Sequence, residues 1–147
     1  MEVLLIDDHP MLNAGIVSIL ESTGLFKVTG QAQSLKQAVS FLQTKFEESA
    51  SLSSASMPSL IILDLLLGED NGLDFFPMLE NFCQNRKMPK PRVLVCSALN
   101  DLFKIQTALK LGAAGFLSKT SGKDELLILV PGTKNCAFTH IKSVFLP

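Results

Sequence analysis

The 147-residue chain has the length of a single domain, since domains usually hold about 100–200 residues. Its 13 basic and 14 acidic side chains give a net charge of −1, which excludes the basic footprint of proteins that bind nucleic acid or anionic membranes. Apolar residues make up 47% of the chain and charged residues 18%, and this composition excludes intrinsic disorder.

Cysteine content and hydropathy indicate in which cellular compartment the protein resides. Three cysteines leave one unpaired in any disulfide scheme, so we expect a reducing compartment, the cytoplasm. No apolar run reaches the roughly 18 residues of a membrane span. The first residues lack the basic start of a signal peptide, because acidic residues directly follow the opening apolar run. We therefore expect no membrane partner.

The first part of the chain alternates short apolar runs with segments of helical periodicity. Val3–Ile6 is apolar throughout and predicts a buried strand. Apolar residues then recur at helical spacing over Pro10–Leu20, and Gly24 lies just past the end of that helix as a stop. Phe26–Gly30 is less apolar and predicts an edge strand. Ser34 is a candidate N-cap for a helix that continues to Phe46.

The rest of the chain repeats this alternation after a serine-rich stretch. Ser49–Ser59 holds six serines and predicts a flexible surface loop. Beyond it we predict strands at Leu60–Leu63, Val93–Cys96 and Gly115–Ser118, a turn at Gly68–Gly72, and helices at Leu73–Phe82, Asn100–Leu111 and Lys123–Leu129.

Five strand–helix units result, and the strands are apolar on both faces. Such strands, joined by helical crossovers, indicate an α/β fold with a parallel sheet that helices cover on both sides. Right-handed crossovers make a doubly wound sheet the usual solution. In the strand order 2-1-3-4-5 the first and third strands are neighbours.

Polar residues stand at the carboxyl ends of four of these strands. Asp7 and Asp8 follow the first strand, Asp64 the third, Ser97 the fourth and Lys119 the fifth. Ligands of doubly wound sheets bind at this edge. Converging carboxylates repel each other unless a cation joins them, and oxygen ligands suit Mg²⁺. A carboxylate nucleophile with a metal, a lysine and a hydroxyl predicts a site for phosphoryl transfer.

Four motifs give the chain a family resemblance. Leu5–Met11 resembles the acidic opening of response-regulator receiver domains of the NarL/FixJ class. Leu63–Gly68, with Gly72 behind it, resembles their phosphoacceptor loop, Val95–Ala98 their switch serine or threonine motif, and Gly115–Lys119 their lysine motif. The resemblance covers residues 1–130 and implies a flavodoxin-like, five-stranded parallel sheet in the order 2-1-3-4-5.

The resemblance also implies roles for the site residues. Asp64 would be the phosphoacceptor. Asp8 and Asp64 would bind Mg²⁺ directly together with the backbone carbonyl of Leu66, and Asp7 mostly through a bound water. Lys119 would pair with Asp64 or with the phosphoryl group.

Signalling roles follow from the same resemblance. Ser97 would bond a phosphoryl oxygen and shift with it, and Phe116 would change rotamer with Ser97. The phosphoryl donor would be a histidine kinase, a phosphotransfer protein or a small phosphodonor. The protein would catalyse no reaction other than its own phosphorylation and dephosphorylation. The resemblance does not identify the output partner, for which a second copy of the chain is one candidate.

The sequence also allows purely structural roles for the site residues and other functions for the chain. If no site existed, Asp8 or His9 would cap the helix at Pro10, Asp64 would be a turn residue and Lys119 a surface lysine. A pseudo-receiver that binds partners without phosphate is the alternative function. A haloacid-dehalogenase-type phosphatase is disfavoured because its acids stand as Asp-x-Asp, and a flavodoxin because no phosphate-binding loop follows the first strand. His9 is interpreted as a partly exposed turn residue.

Two features depart from the family pattern. Leu66 and Leu99 are apolar at positions that tune dephosphorylation, which predicts a long-lived phosphorylated state. Residues 131–147 form an atypical tail, too short for the roughly 60 residues of a helix-turn-helix domain. We therefore expect no DNA contact from this chain, which is either a stand-alone receiver or a shortened regulator. We also expect apolar residues of the tail to cover the edge of the sheet.

Overall fold

A five-stranded parallel sheet forms the centre of the molecule in the computed structural model, which describes residues 1–51, 56–98 and 101–120. In chain order the strands of this sheet are β1 (Glu2–Ile6), β2 (Lys27–Ala32), β3 (Leu60–Leu63), β6 (Arg92–Ser97) and β7 (Gly115–Ser118). The helices are α1 (Pro10–Glu21), α2 (Leu35–Ser51), α3 (Phe75–Arg86) and α4 (Leu102–Lys110).

The order of the strands is β2-β1-β3-β6-β7. Counted within this sheet alone, that is the predicted order 2-1-3-4-5, so the flavodoxin-like α/β fold is confirmed. The register pairs Ile6 with Leu63 and Leu63 with Val95, and Ser97 pairs with Ser118. The last residues of the four strands β1, β3, β6 and β7 therefore lie along one edge.

Side chains of each strand alternate between two apolar cores. In β1, Leu4 and Ile6 face the core that α2, α3 and α4 cover, while Val3 and Leu5 face the core that α1 covers. The alternation follows from the two-residue period of a strand. Each fully buried Leu or Ile stabilises the fold by about 1.5–3 kcal/mol, so the strands are firmly held in this register.

A short hairpin stands where a turn was predicted. Strands β4 (Leu66–Leu67) and β5 (Asp70–Asn71) pair antiparallel, with Gly68 between them at a φ of +57°. Residues with a side chain rarely adopt such a φ, so glycine suits this turn. A 3₁₀ turn, Gly72–Asp74, then leads into α3.

The serine-rich stretch was predicted to be a loop from Ser49 onward, and this was wrong for its first residues. Helix α2 continues to Ser51, because Ser49 Oγ donates to the carbonyl of Phe46 and Ser51 Oγ to that of Glu47. Hydroxyls satisfied within the helix no longer compete with its backbone. Residues 52–55 lie outside the described part of the chain.

Other boundaries shift by one or two residues. Helix α4 begins at Leu102 rather than at the predicted Asn100, because Asp101 caps it: Asp101 Oδ1 accepts from the backbone N–H groups of Phe103 and Lys104. Strand β2 is an edge strand as predicted, but it spans Lys27–Ala32 rather than Phe26–Gly30, and Phe26 packs into the core before it. Among the described helices, none has the length and hydropathy that a membrane span requires.

The helix predicted at Lys123–Leu129 and the tail from residue 131 lie outside the described residues, as does Leu99.

Candidate functional site

The predicted site residues meet at the carboxyl edge of the sheet. Asp7 follows β1, Asp64 follows β3, Ser97 ends β6 and Lys119 follows β7. Sheet-type hydrogen bonds continue past the strand ends: Asp7 N–H donates to Ala32, Asp64 N–H to Ile6 and Lys119 N–H to Ser97. These residues therefore stand on backbone that the sheet holds rigidly.

Asp64 is almost fully buried, and both of its carboxylate oxygens accept hydrogen bonds. Ser97 Oγ donates to Oδ1 at 2.6 Å, and the N–H of Leu66 donates to the same oxygen at 3.0 Å. Lys119 Nζ donates to Oδ2 at 2.5 Å. A charged, buried carboxylate needs such donors, and here they also fix the direction in which each oxygen points.

Asp7 is the second buried carboxylate of the site. Its Oδ2 accepts from Lys119 Nζ at 2.7 Å, and its Oδ1 accepts from the backbone N–H of His9 at 2.8 Å. Its carbonyl accepts from Asn13 Nδ2 at 2.9 Å, which ties α1 to the end of β1. The sequence interpretation missed Asn13, although its spacing from the buried Ile16 and Leu20 placed it on the inward face of the helix.

Asp8 differs from the other two acids. Its side chain is partly exposed, yet Oδ1 is buried and receives no hydrogen bond. A buried oxygen without a donor costs free energy unless a cation or water satisfies it. The ligand atoms of Asp7, Asp8 and Asp64 lie within 4.8 Å of one another, so the oxygen donor set fits a small divalent cation.

Lys119 brings the positive charge to this cluster, and only 8% of its side chain is exposed. Burial alone would lower the pKa of Lys119, but its hydrogen bonds to Asp64 and Asp7, and the charges of these carboxylates, raise the pKa above the ordinary 10.5. Lys119 is therefore charged at neutral pH and compensates part of the negative charge of the three acids.

His9 lies closer to the acids than its interpretation as a turn residue suggested. It precedes α1 as N-cap, and its Nδ1 is 3.0 Å from Asp7 Oδ1, 2.9 Å from Asp8 Oδ1 and 3.3 Å from Lys119 Nζ. Most of the ring is exposed, as predicted, but one ring nitrogen belongs to the site.

The hairpin β4–β5 stands beside the acids. Leu66, its first residue, is substantially exposed at the rim of the site. On the other side of the hairpin, Asp70 Oδ2 accepts from the backbone N–H of Leu35 at 2.9 Å and so ties the hairpin to the start of α2. This contact restricts the segment that directly follows Asp64.

Phe116 lies on β7 opposite Val95, is partly buried and packs against the core of α2, α3 and α4. It stands three residues before Lys119 on the strand that carries the lysine into the site. Its role as a switch residue stays a prediction, as do the roles assigned to the other site residues.

Cys83 and Cys96 are buried, and burial raises the pKa of both thiols, that of Cys96 to about 11. Thiols that stay protonated are poor nucleophiles and poor ligands, so we assign these two cysteines to the core.

Comparison with known proteins identifies the family. The sequence model described as "Response regulator receiver domain" matches residues 3–130. The chain belongs to this family. It is a receiver domain of the kind found in two-component response regulators.

Individual relatives agree with this assignment. The nitrate/nitrite response regulator NarL of Escherichia coli K12 is 33% identical over 125 residues, which cover 85% of this chain and 50% of that protein. The chain thus spans about half the length of the curated relatives that it matches.

Solved structures are similar as well. A LuxR-family DNA-binding response regulator from Silicibacter pomeroyi is 26% identical, with a TM-score of 0.67 and coverage of 89% of this chain and 88% of that chain. The CheX–CheY–BeF₃–Mg²⁺ complex of Borrelia burgdorferi gives a TM-score of 0.72 at 21% identity, covering 100% of this chain and 90% of that chain, and so agrees in fold.

Proposed function

We propose that this receiver domain accepts a phosphoryl group on Asp64, with Mg²⁺ as cofactor, and that this modification switches its interaction with partners. The observation that carries the proposal is the arrangement around Asp64. A buried carboxylate is held by Ser97, by the N–H of Leu66 and by Lys119, beside two further acids, one of which has a buried oxygen that receives no hydrogen bond.

Asp64 is the nucleophile in this proposal. One of its carboxylate oxygens attacks phosphorus, and the bond between phosphorus and the donor breaks. That bond is a P–N bond when the donor is a phosphohistidine and a P–O bond when it is acetyl phosphate. The electron pair leaves with the imidazole or with acetate, so no oxidant or further reactant is required.

The other residues of the site position the phosphoryl group and neutralise its negative charge. Asp7, Asp8, Asp64 and the carbonyl of Leu66 would hold Mg²⁺, which supplies charge neutralisation for the transferred group. Lys119, now bound to Asp64 Oδ2, pairs with a phosphoryl oxygen once Asp64 carries the phosphoryl group. Ser97 Oγ, now bound to Asp64 Oδ1, donates to a second phosphoryl oxygen. Phosphoryl transfer needs mainly such positioning and electrostatic stabilisation.

The signalling output follows from a change of partner for Ser97. Its hydroxyl moves toward the phosphoryl group, and Phe116 on the neighbouring strand β7 takes a second rotamer. Phosphate and an output partner would then bias the same two-state element. The donor is a histidine kinase, a phosphotransfer protein or a small phosphodonor, and the domain catalyses no reaction beyond its own phosphorylation and dephosphorylation.

Intact mass spectrometry after incubation with acetyl phosphate and Mg²⁺ tests the proposal. We expect one added phosphoryl group, none after EDTA treatment and none in the Asp64→Asn variant. A wild-type chain that stays unmodified while Mg²⁺ binds would contradict phosphorylation and favour the pseudo-receiver alternative. A control variant, Glu69→Ala, changes an exposed acid of the nearby hairpin tip and is expected to be phosphorylated like the wild type.

A further inference from the structure

The imidazole of His9 reaches into the acidic cluster with one nitrogen. Nδ1 lies 3.0 Å from Asp7 Oδ1, 2.9 Å from Asp8 Oδ1 and 3.9 Å from Asp64 Oδ2. The remainder of the ring faces solvent, since 61% of the side chain is exposed. A nitrogen ligand atom therefore stands among the oxygen atoms of the proposed metal site.

Local backbone structure fixes this placement. His9 is the N-cap of α1 in extended conformation, and Pro10 at the first helical position restricts the backbone behind it. The backbone N–H of His9 donates to Asp7 Oδ1, the same oxygen that Nδ1 contacts. The side chain makes no capping hydrogen bond to the helix, so helix capping does not explain its position.

Hydrogen bonding accounts for only part of the contacts of Nδ1. The nitrogen is within hydrogen-bond distance of Asp7 Oδ1, but Asp8 Oδ1 receives no hydrogen bond although Nδ1 is 2.9 Å away. Lys119 Nζ bonds to the Oδ2 atoms of Asp7 and Asp64 and lies 3.3 Å from Nδ1, so a cationic group already contacts both the acids and the imidazole. The Oδ1 atoms of Asp7 and Asp8 lie on the side of the imidazole.

The distances also match those between ligands of one metal ion. In an octahedral site with bonds of about 2.1 Å, neighbouring ligand atoms lie about 3.0 Å apart and opposite ones about 4.2 Å apart. Asp8 Oδ1 and Asp7 Oδ1 lie 2.9 and 3.0 Å from Nδ1, close to the distance between neighbouring ligands. Asp64 Oδ2 lies 3.9 Å from Nδ1, near the distance between opposite ligands. The neutral ring with its proton on Nε2 would offer the Nδ1 lone pair to the ion.

We propose that His9 Nδ1 is a metal ligand of this site, which gives it a mixed nitrogen–oxygen donor set and a preference for divalent transition ions that bind imidazole. This rests on the proposed function, because the acids concerned are those that would hold Mg²⁺. Imidazole favours Ni²⁺, Zn²⁺ and Cu²⁺, whereas Mg²⁺ prefers oxygen ligands. His9 would thereby determine which divalent ion the domain retains.

Pulsed EPR of Mn²⁺ bound to the purified chain tests the ligand directly. We expect a hyperfine coupling to a directly bound ¹⁴N nucleus in the wild type and its loss in His9→Gln. The chain contains two histidines, so His140→Gln is the matched control and should keep the coupling. Mn²⁺ bound without nitrogen coupling, or a coupling lost only in His140→Gln, would overturn the proposal.

Calorimetric titration with Ni²⁺ alone and Mg²⁺ alone gives a second measurement. Loss even of a supporting residue lowers metal affinity about tenfold, so loss of a ligand should raise the Kd of Ni²⁺ at least about tenfold in His9→Gln. The Kd of Mg²⁺ should change much less. Equal changes for both ions would overturn the proposed selectivity.

Failure of this inference can be told apart from failure of the proposed function. If acetyl phosphate modifies Asp64 but Mn²⁺ shows no nitrogen coupling, only the role of His9 is wrong. If nitrogen coupling is present and Asp64 is never phosphorylated, the metal site stands and the proposed function fails.

Discussion

Lys119 and Asp64 are joined by a 2.5 Å hydrogen bond between Nζ and Oδ2, although 55 positions separate them in the chain. The bond spans from the end of β7 to the end of β3, across β6, so it links strands that are not neighbours in the sheet. Asp7 accepts from the same ammonium group. One lysine is thus the ion-pair partner of two buried carboxylates.

Replacing Lys119 by Met should destabilise the metal-free protein. Removal of one partner of a buried ion pair leaves uncompensated charge and costs about 3–5 kcal/mol. Urea unfolding in EDTA measures this loss, and added Mg²⁺ should restore part of it. The control Lys36→Met changes an exposed lysine and should alter stability by less than about 0.5 kcal/mol. A loss in Lys119→Met no larger than in this control would contradict the ion-pair account.

The raised pKa of Lys119 also predicts how the difference in unfolding free energy between wild type and Lys119→Met depends on pH. A group whose pKa is higher in the folded than in the unfolded state stabilises the fold fully below the unfolded value. The contribution of Lys119 should therefore be constant through neutral pH and should decline only as the pH rises above 10.5 toward the raised pKa. Unfolding free energies of wild type and Lys119→Met between pH 6 and pH 11 measure it. A difference that vanishes already near pH 7 would be inconsistent with the ion pair.

Asp8→Ala should abolish Mg²⁺ binding and phosphorylation while the domain stays folded. The side chain is 30% exposed and its buried Oδ1 receives no hydrogen bond, so its removal deletes no hydrogen bond of that oxygen. Calorimetry with Mg²⁺ and intact mass after acetyl phosphate treatment give the two readouts. If Asp8→Ala is phosphorylated as fast as the wild type, the assignment of the site is wrong.

Gly72→Ala should destabilise the domain and slow phosphorylation. A Cβ at this position would collide with the carbonyl oxygen of Asp64 and lie 2.6 Å from Leu65 Cα, and backbone atoms cannot yield as a flexible side chain does. Overpacking of this kind costs about 1–3 kcal/mol.

Gly15→Ala is the control for Gly72→Ala. Gly15 lies within α1 with no atom near the position of its missing Cβ, so alanine should stabilise the domain by about 0.5–1 kcal/mol. Urea unfolding and the phosphorylation rate compare the two variants. Equal effects of both substitutions would refute the close approach of Gly72 to the Asp64 backbone.

Leu66→Glu or Leu66→Asn should shorten the lifetime of the phosphorylated state. Leu66 is exposed at the rim of the site and offers an attacking water no polar partner, whereas a carboxylate or amide would orient one. The acceleration should stay below the roughly 100-fold of a well-positioned general base. Leu25→Asn, at another exposed leucine, is the control for the decay rate measured by mass spectrometry. An unchanged rate in both Leu66 variants would remove the argument.

Much of the fold was predictable because the strands carry a simple pattern. Strands β1 and β3 and most of β6 are apolar on both faces, which only a sheet covered on both sides accommodates. The meeting of Asp7, Asp64 and Lys119 was predictable for a related reason. Parallel strands bring their carboxyl ends to one edge, so strand order alone places residues that follow different strands together.

Other features depend on contacts that no periodic pattern reveals. The position of His9 Nδ1 depends on the backbone turn before α1 and on Asp7. The extension of α2 to Ser51 depends on hydroxyls that bond within the helix, against the composition, which favoured a loop. The cap of α4 at Asp101 required a choice between two adjacent residues that both cap helices well.

Phosphorylation of Asp64 is the central claim, and chemical location of the phosphoryl group tests it most directly. The wild-type chain would be phosphorylated with acetyl phosphate and Mg²⁺ and then reduced with borohydride, which converts an aspartyl phosphate into homoserine. Peptide mass spectrometry should find homoserine at position 64 and unmodified aspartate at positions 7 and 8. Homoserine at another aspartate, or none at all in a phosphorylated protein, would contradict the account.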